Sequence, residues 1–144
     1  MNRRVVPVAV LAMALVAACR SDTFPPVSPS QTGATVELTL RPGEEVRVPG
    51  TLLRLAFTQV VGDSRCPTDV VCIWEGEAVL ELALGIGMGP SYPDTVTTRS
   101  SGNVTRLFGY RITLLDVQPA PVSTRPIPPG DYSARFRVES VEEP

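Results

Sequence analysis

Histidine and lysine are both missing from the 144 residues. Without histidine there can be no Ser-His-Asp or Cys-His arrangement and no imidazole metal ligand, because these need a neutral base near pH 7. Without lysine, Schiff-base chemistry is excluded as well. All 13 basic residues are arginine and face 15 acids, so no basic surface for nucleic acid is implied. Tryptophan occurs once and cysteine three times. Long apolar runs are also lacking. The longest, residues 5–18 (VVPVAVLAMALVAA), has fourteen residues, short of the about 20 that cross a bilayer.

That run is the first informative segment. Arg3 and Arg4 precede it and small alanines close it, which are the three parts of a secretory signal. Its last residues, Val16-Ala17-Ala18-Cys19, resemble the lipobox of bacterial lipoproteins. The resemblance implies that Cys19 is acylated, with palmitate among its chains, and becomes the first residue of the mature protein. At about 0.8 kcal/mol per buried CH₂, two or three such chains make a firm membrane anchor. Arg20, rather than Asp, follows Cys19, which by the same resemblance implies the outer membrane in a Gram-negative cell. The alternative is ordinary cleavage after Ala18, leaving a soluble protein with a free thiol. The expected organisation is a signal peptide at 1–18, a lipidated cysteine with a Pro/Ser-rich tether at 19–33, and a domain at 34–144. The tether, extended at about 3 Å per residue, would hold the domain roughly 40 Å from the membrane. Beyond residue 18, eleven arginines against fifteen acids leave a charge of −4, on a length suited to one domain.

From residue 34 onward the hydrophobic period is two. Val36, Leu38 and Leu40 alternate with polar residues before the turn at Arg41-Pro42-Gly43, and a short strand at 45–48 follows. Leu53, Leu55 and Phe57 mark the inward face of a strand at 53–61. Ala78, Leu80, Leu82 and Leu84 give the clearest alternation, which outweighs the helix propensity of residues 81–85. Residues 85–93 (GIGMGPSYP) predict a loop, having three glycines and two prolines. Weaker strands are expected at 94–99 and 103–108. A firm one carries Tyr110, Ile112, Leu114 and Val117. After a proline-rich connection at 119–130, Tyr132, Ala134, Phe136 and Val138 form the closing strand. No segment beyond residue 33 has convincing helical periodicity. About seven or eight short strands divided by Pro/Gly turns predict an all-β fold, an antiparallel β-sandwich or Greek-key barrel.

The densest cluster of special residues interrupts this pattern at 63–78. Cys66 and Cys72 form an even pair once Cys19 carries lipid, and in an oxidising compartment they predict a disulfide. The bridge closes a loop of about seven residues, contributing near 2 kcal/mol on the chain-entropy estimate. Asp63 and Ser64 suit backbone hydrogen bonding at a turn, and Trp74 suits a cover over the disulfide. Arg65 has three options: to stack on Trp74, or to pair with Asp63 or Glu75. Written D-S-R-C-P-x4-C-x-W-x-G-x-A, the stretch resembles one that recurs in secreted and lipid-anchored bacterial proteins of no established activity. The resemblance implies a fold boundary and no mechanism.

Two readings of this loop stay open. In one it is a scaffold corner; in the other it is a recognition loop presenting Asp63, Ser64, Arg65, Asp69 and Trp74, with rigidity lowering the ordering cost of binding. Asp63, Asp69, Glu75 and Glu77 supply oxygen donors, but their spacing matches no calcium loop, so no metal or other cofactor is expected. Glu77 and Glu81 on one strand face would stand roughly 13 Å apart by strand rise, too far for a glycosidase pair. No nucleophile stands beside a base, so catalysis is not expected. The sequence thus points to a non-catalytic binding or structural module of the bacterial cell envelope, meeting the membrane through Cys19 and an envelope protein or polysaccharide through the domain. The alternatives are a protease-inhibitor-like module with Arg65 as bait, and a β-sandwich enzyme acting on envelope glycan.

Overall fold

The computed structural model describes residues 35–141. The expected signal peptide, Cys19 and the tether lie outside the described residues. Eight strands follow in order: β1 (Thr35–Leu40), β2 (Glu44–Arg47), β3 (Leu53–Asp63), β4 (Ala78–Ile86), β5 (Ser91–Thr97), β6 (Val104–Leu107), β7 (Tyr110–Gln118) and β8 (Ser133–Ser140). A single 3-10 turn, Pro129–Asp131, precedes β8. The strands form two antiparallel four-stranded sheets, β1-β8-β7-β6 and β2-β3-β4-β5. The fold is therefore an all-β sandwich. Successive strands are neighbours within each sheet, and β1 closes against β8, so the connections are meander hairpins rather than a Greek key.

The alternating residues build the core because successive Cβ atoms leave a strand on opposite faces. Leu53, Leu55, Phe57, Leu80, Leu82, Ile112, Ala134 and Phe136 are fully buried. Phe57 of one sheet meets Phe136 of the other edge to face, ring centroids 6.3 Å apart, the arrangement that aromatic quadrupoles favour. On the open side of the sandwich, the buried Thr105 hydroxyl of β6 donates to the Asp94 carboxylate of β5 and ties the sheets together.

Two expectations are corrected. The loop expected at 85–93 is mostly strand: β4 continues through Ile86, β5 begins at Ser91, and only residues 87–90 turn. Pro93 is accommodated because β5 is an edge strand, where no second partner needs its missing N–H. Gly85 is buried against the Arg54 guanidinium and Pro90, where an added Cβ would have to displace the guanidinium. The strand expected to reach Phe108 ends at Leu107. Phe108 and Gly109 have φ of 49° and 76° and make the two-residue hairpin turn into β7.

Strand register sorts the molecule into two ends. Thr35 pairs with Glu139 and Tyr110 with Ser140, so the start of β1, the end of β8 and the β6–β7 turn share one end. Tyr92 of β5 packs against Phe108 there, rings tilted by 59° with centroids 6.0 Å apart. The end of β3, the start of β4, the end of β7 and the start of β8 share the other end, which carries the cysteine loop.

Candidate functional site

The cysteine loop continues the β3–β4 hairpin beyond its last strand pair. Ser64 N–H donates to the Glu77 carbonyl (2.8 Å) and Cys66 N–H to the Glu75 carbonyl (3.0 Å), holding residues 64–66 against 75–77. Between them Gly76 sits at φ 67°, and a Cβ there would overlap the Ser64 carbonyl oxygen. Only glycine meets both demands. The sulfurs of Cys66 and Cys72 lie at bonding distance, with Cα atoms 5.9 Å apart.

Arg65 takes the Asp63 option among its three. Its Nε and Nη2 donate to the two Asp63 oxygens (2.9 and 2.7 Å), a bidentate pair whose side chains are only 15% and 10% exposed. The remaining donors cross to the other sheet: Nη1 to the Val117 carbonyl (2.6 Å) at the end of β7, and Nη2 to the Pro119 carbonyl (2.9 Å). The Tyr132 hydroxyl, just before β8, donates to Asp63 Oδ2 (3.1 Å). Burial acts to raise the Asp63 carboxyl, but the Arg65 side-chain and backbone donors and charge, with Tyr132, hold it below the usual carboxylate value. Tyr132 is displaced upward, first by burial and then by the Asp63 charge and hydrogen bond. These groups form an inter-sheet clasp.

The loop is strapped down a second time. Thr68 N–H donates to the Pro121 carbonyl (3.0 Å), and Asp69 accepts from the Ser123 hydroxyl (2.5 Å) and N–H (2.8 Å). The Ser123 donors hold the Asp69 carboxyl below its usual value.

The five members of the expected recognition loop therefore part company. Asp63 and Arg65 are turned inward and saturated. Arg65 is thus not presented as a protease bait, because its guanidinium is already bonded to two carbonyls and a carboxylate. Ser64 Oγ is bonded to the backbone of Glu77, and Asp69 is exposed but occupied by Ser123. Trp74 is 80% exposed rather than packed as a cover. With it stand Val70, Val71 and Ile73, all exposed on residues 70–74. Among the described residues no group of three or more His, Cys, Asp or Glu side chains converges as a metal would need.

Beside the base of the loop opens a polar cleft of about 720 Å³, between Arg65, Cys66, Glu75 and Gly76, the β5–β6 connection and the end of β7. Arg99, Ser101, Asn103 and Asp116 line it with Glu75. The sequence offers Glu75 as an oxygen donor; it does not single out Arg99, Ser101 or Asp116. The one signal was the run Arg99-Ser100-Ser101-Gly102-Asn103, polar beyond what a hairpin turn requires.

Comparison of the chain with family models, with curated proteins and with solved structures finds no match.

Proposed function

We propose that this chain is a lipid-anchored protein of the bacterial cell envelope whose β-sandwich acts by contact and without catalysis. The anchor reading rests on Arg3, Arg4, the apolar run and Val16-Ala17-Ala18-Cys19. One observation carries the contact reading: four large apolar side chains, Val70, Val71, Ile73 and Trp74, are displayed on a backbone that a disulfide, a hairpin extension and two straps hold in place. An exposed apolar group on a stiff support loses little conformational entropy when it meets a partner, which favours binding over mere scaffolding. The loop lies at the end of the sandwich opposite the start of β1. An envelope protein or polysaccharide is the partner class.

The test uses the full chain expressed in a bacterial envelope. A labelled palmitate precursor is expected to enter the wild type and not Cys19→Ala; equal labelling of both would overturn the anchor. Cross-linked envelopes are expected to yield a partner that a double Val71→Ser, Ile73→Ser variant loses while keeping its melting temperature. Identical partners for both would overturn the contact reading.

A further inference from the structure

The free side of β1 is open to a further strand, and we propose that it pairs antiparallel with β1 of a second copy of this chain, joining two sandwiches through one continuous eight-stranded sheet. Four strands are sheet edges: β1 and β6 in one sheet, β2 and β5 in the other. An edge strand leaves a row of N–H and C=O groups available to another chain, and folds commonly blunt it with short length, charge, proline or a bulge. Three of the four edges are blunted in this way. β2 has four residues, three of them charged, Glu44, Glu45 and Arg47. β5 carries Pro93, and β6, four residues long with Arg106 among them, is tied to β5 through Thr105 and Asp94. β1 has none of these devices. Its six residues run in unbroken register with β8, without proline, glycine or bulge. Its one charge, Glu37, is held by Arg137 of β8 (2.8 Å). Among the described residues, the backbone of β1 bonds to β8 alone, which leaves its other side unpaired.

The sequence of β1 is complementary to itself. A twofold axis perpendicular to the sheet runs two β1 strands antiparallel and keeps both inner faces on the same side. Centred on Leu38, that register sets Leu38 opposite Leu38, Val36 opposite Leu40 and Glu37 opposite Thr39. Val36 and Leu38 pack against the core but stay only half-buried at the edge, so a strand added there covers apolar surface that the single sandwich leaves open. Glu37 then meets a hydroxyl. The neighbouring register, centred on Glu37, sets two carboxylates opposite each other and is disfavoured. Because the contact is isologous it closes at two copies, and the blunted edges on the outside stop the sheet from growing further.

The register makes the contact testable in the full chain. Copies carrying Glu37→Cys and copies carrying Thr39→Cys, with different tags, are expressed together in a bacterial envelope. A disulfide between the two kinds of copy is expected to exceed that between two Glu37→Cys copies. Sedimentation equilibrium of the wild-type chain in detergent is expected to show a monomer–dimer equilibrium below about 100 µM. Thr39→Glu faces Glu37 of the partner copy twice in each dimer, and its dissociation constant is expected to rise about tenfold. Thr39→Arg is expected to tighten the dimer by the same contact. Within one copy Thr39 stands opposite Arg135, so Thr39→Glu keeps the melting temperature of the isolated sandwich and the loss is not unfolding. Four results would each overturn the proposal: a chain that stays monomeric up to about 100 µM, as when its own preceding residues cover the edge; a disulfide to a protein of different sequence; Glu37→Cys copies that cross-link to one another as readily as to Thr39→Cys copies; or a dimer indifferent to both charges at position 39. None of these touches residues 70–74, so the contact reading of the cysteine loop stands or falls separately.

Discussion

Arg65 is the residue that joins the two sheets at the loop end. It looks like a surface arginine in the sequence, yet its donors join β3 to β7 and, through Asp63 and Tyr132, to β8. Removing one partner of a mostly buried charge pair leaves the other uncompensated, so Arg65→Ala and Asp63→Ala are each expected to cost about 3 kcal/mol by urea unfolding. A double-mutant cycle should show that the two losses do not add, since both variants break one clasp. The same site sets a pH dependence. Asp63 is held below the ordinary carboxylate value, so its contribution is complete above the unfolded value of about 4 and is lost as pH falls through the folded one. The melting temperature of the wild type should therefore fall more steeply below about pH 4 than that of Asp63→Asn. Tyr132 behaves in the opposite sense. Its raised value makes its contribution complete below about pH 10 and lost above it, and Tyr132→Phe should flatten the alkaline limb of the same curve.

At the scale of elements, the β3–β4 hairpin organises the molecule. Leu55, Phe57, Leu80 and Leu82 place its inner face at the centre of the core, and its extension carries the cysteine loop. Leu82→Ala is expected to cost about 2–5 kcal/mol, the range for a buried leucine whose surroundings cannot collapse. Gly76→Ala should unfold the extension or the whole domain, because the Ser64 carbonyl occupies the place of the new methyl group and cannot leave without breaking the hairpin. Circular dichroism with thermal melting distinguishes these outcomes. The strands themselves were legible from alternation, as were the inward faces of β1, β3, β4, β7 and β8. The turn at 87–90 was not, because glycine and proline content marks a turn but cannot say how far two strands run into it. An edge position excused Pro93, and edge positions follow from sheet order.

For the whole molecule, the separation of the two ends is what gives the loop its meaning. The start of β1 and the Tyr92–Phe108 pair occupy one end; the clasp, the apolar residues of 70–74 and the polar cleft occupy the other. The proposed anchor at Cys19 predicts that Cys19→Ala leaves the membrane fraction while keeping the wild-type melting temperature and Trp74 emission. The sequence alone determined the alternation of some seven or eight strands, the core faces and the cysteine pair, because Cβ direction along a strand and the scarcity of thiols are local facts. Tertiary structure alone decided which polar residues of the loop are spent internally and which apolar ones are left in water. Val117, Pro119, Ser123 and Tyr132 lie more than fifty residues beyond the groups they hold, and only the packing of one sheet on the other brings them within hydrogen-bond reach.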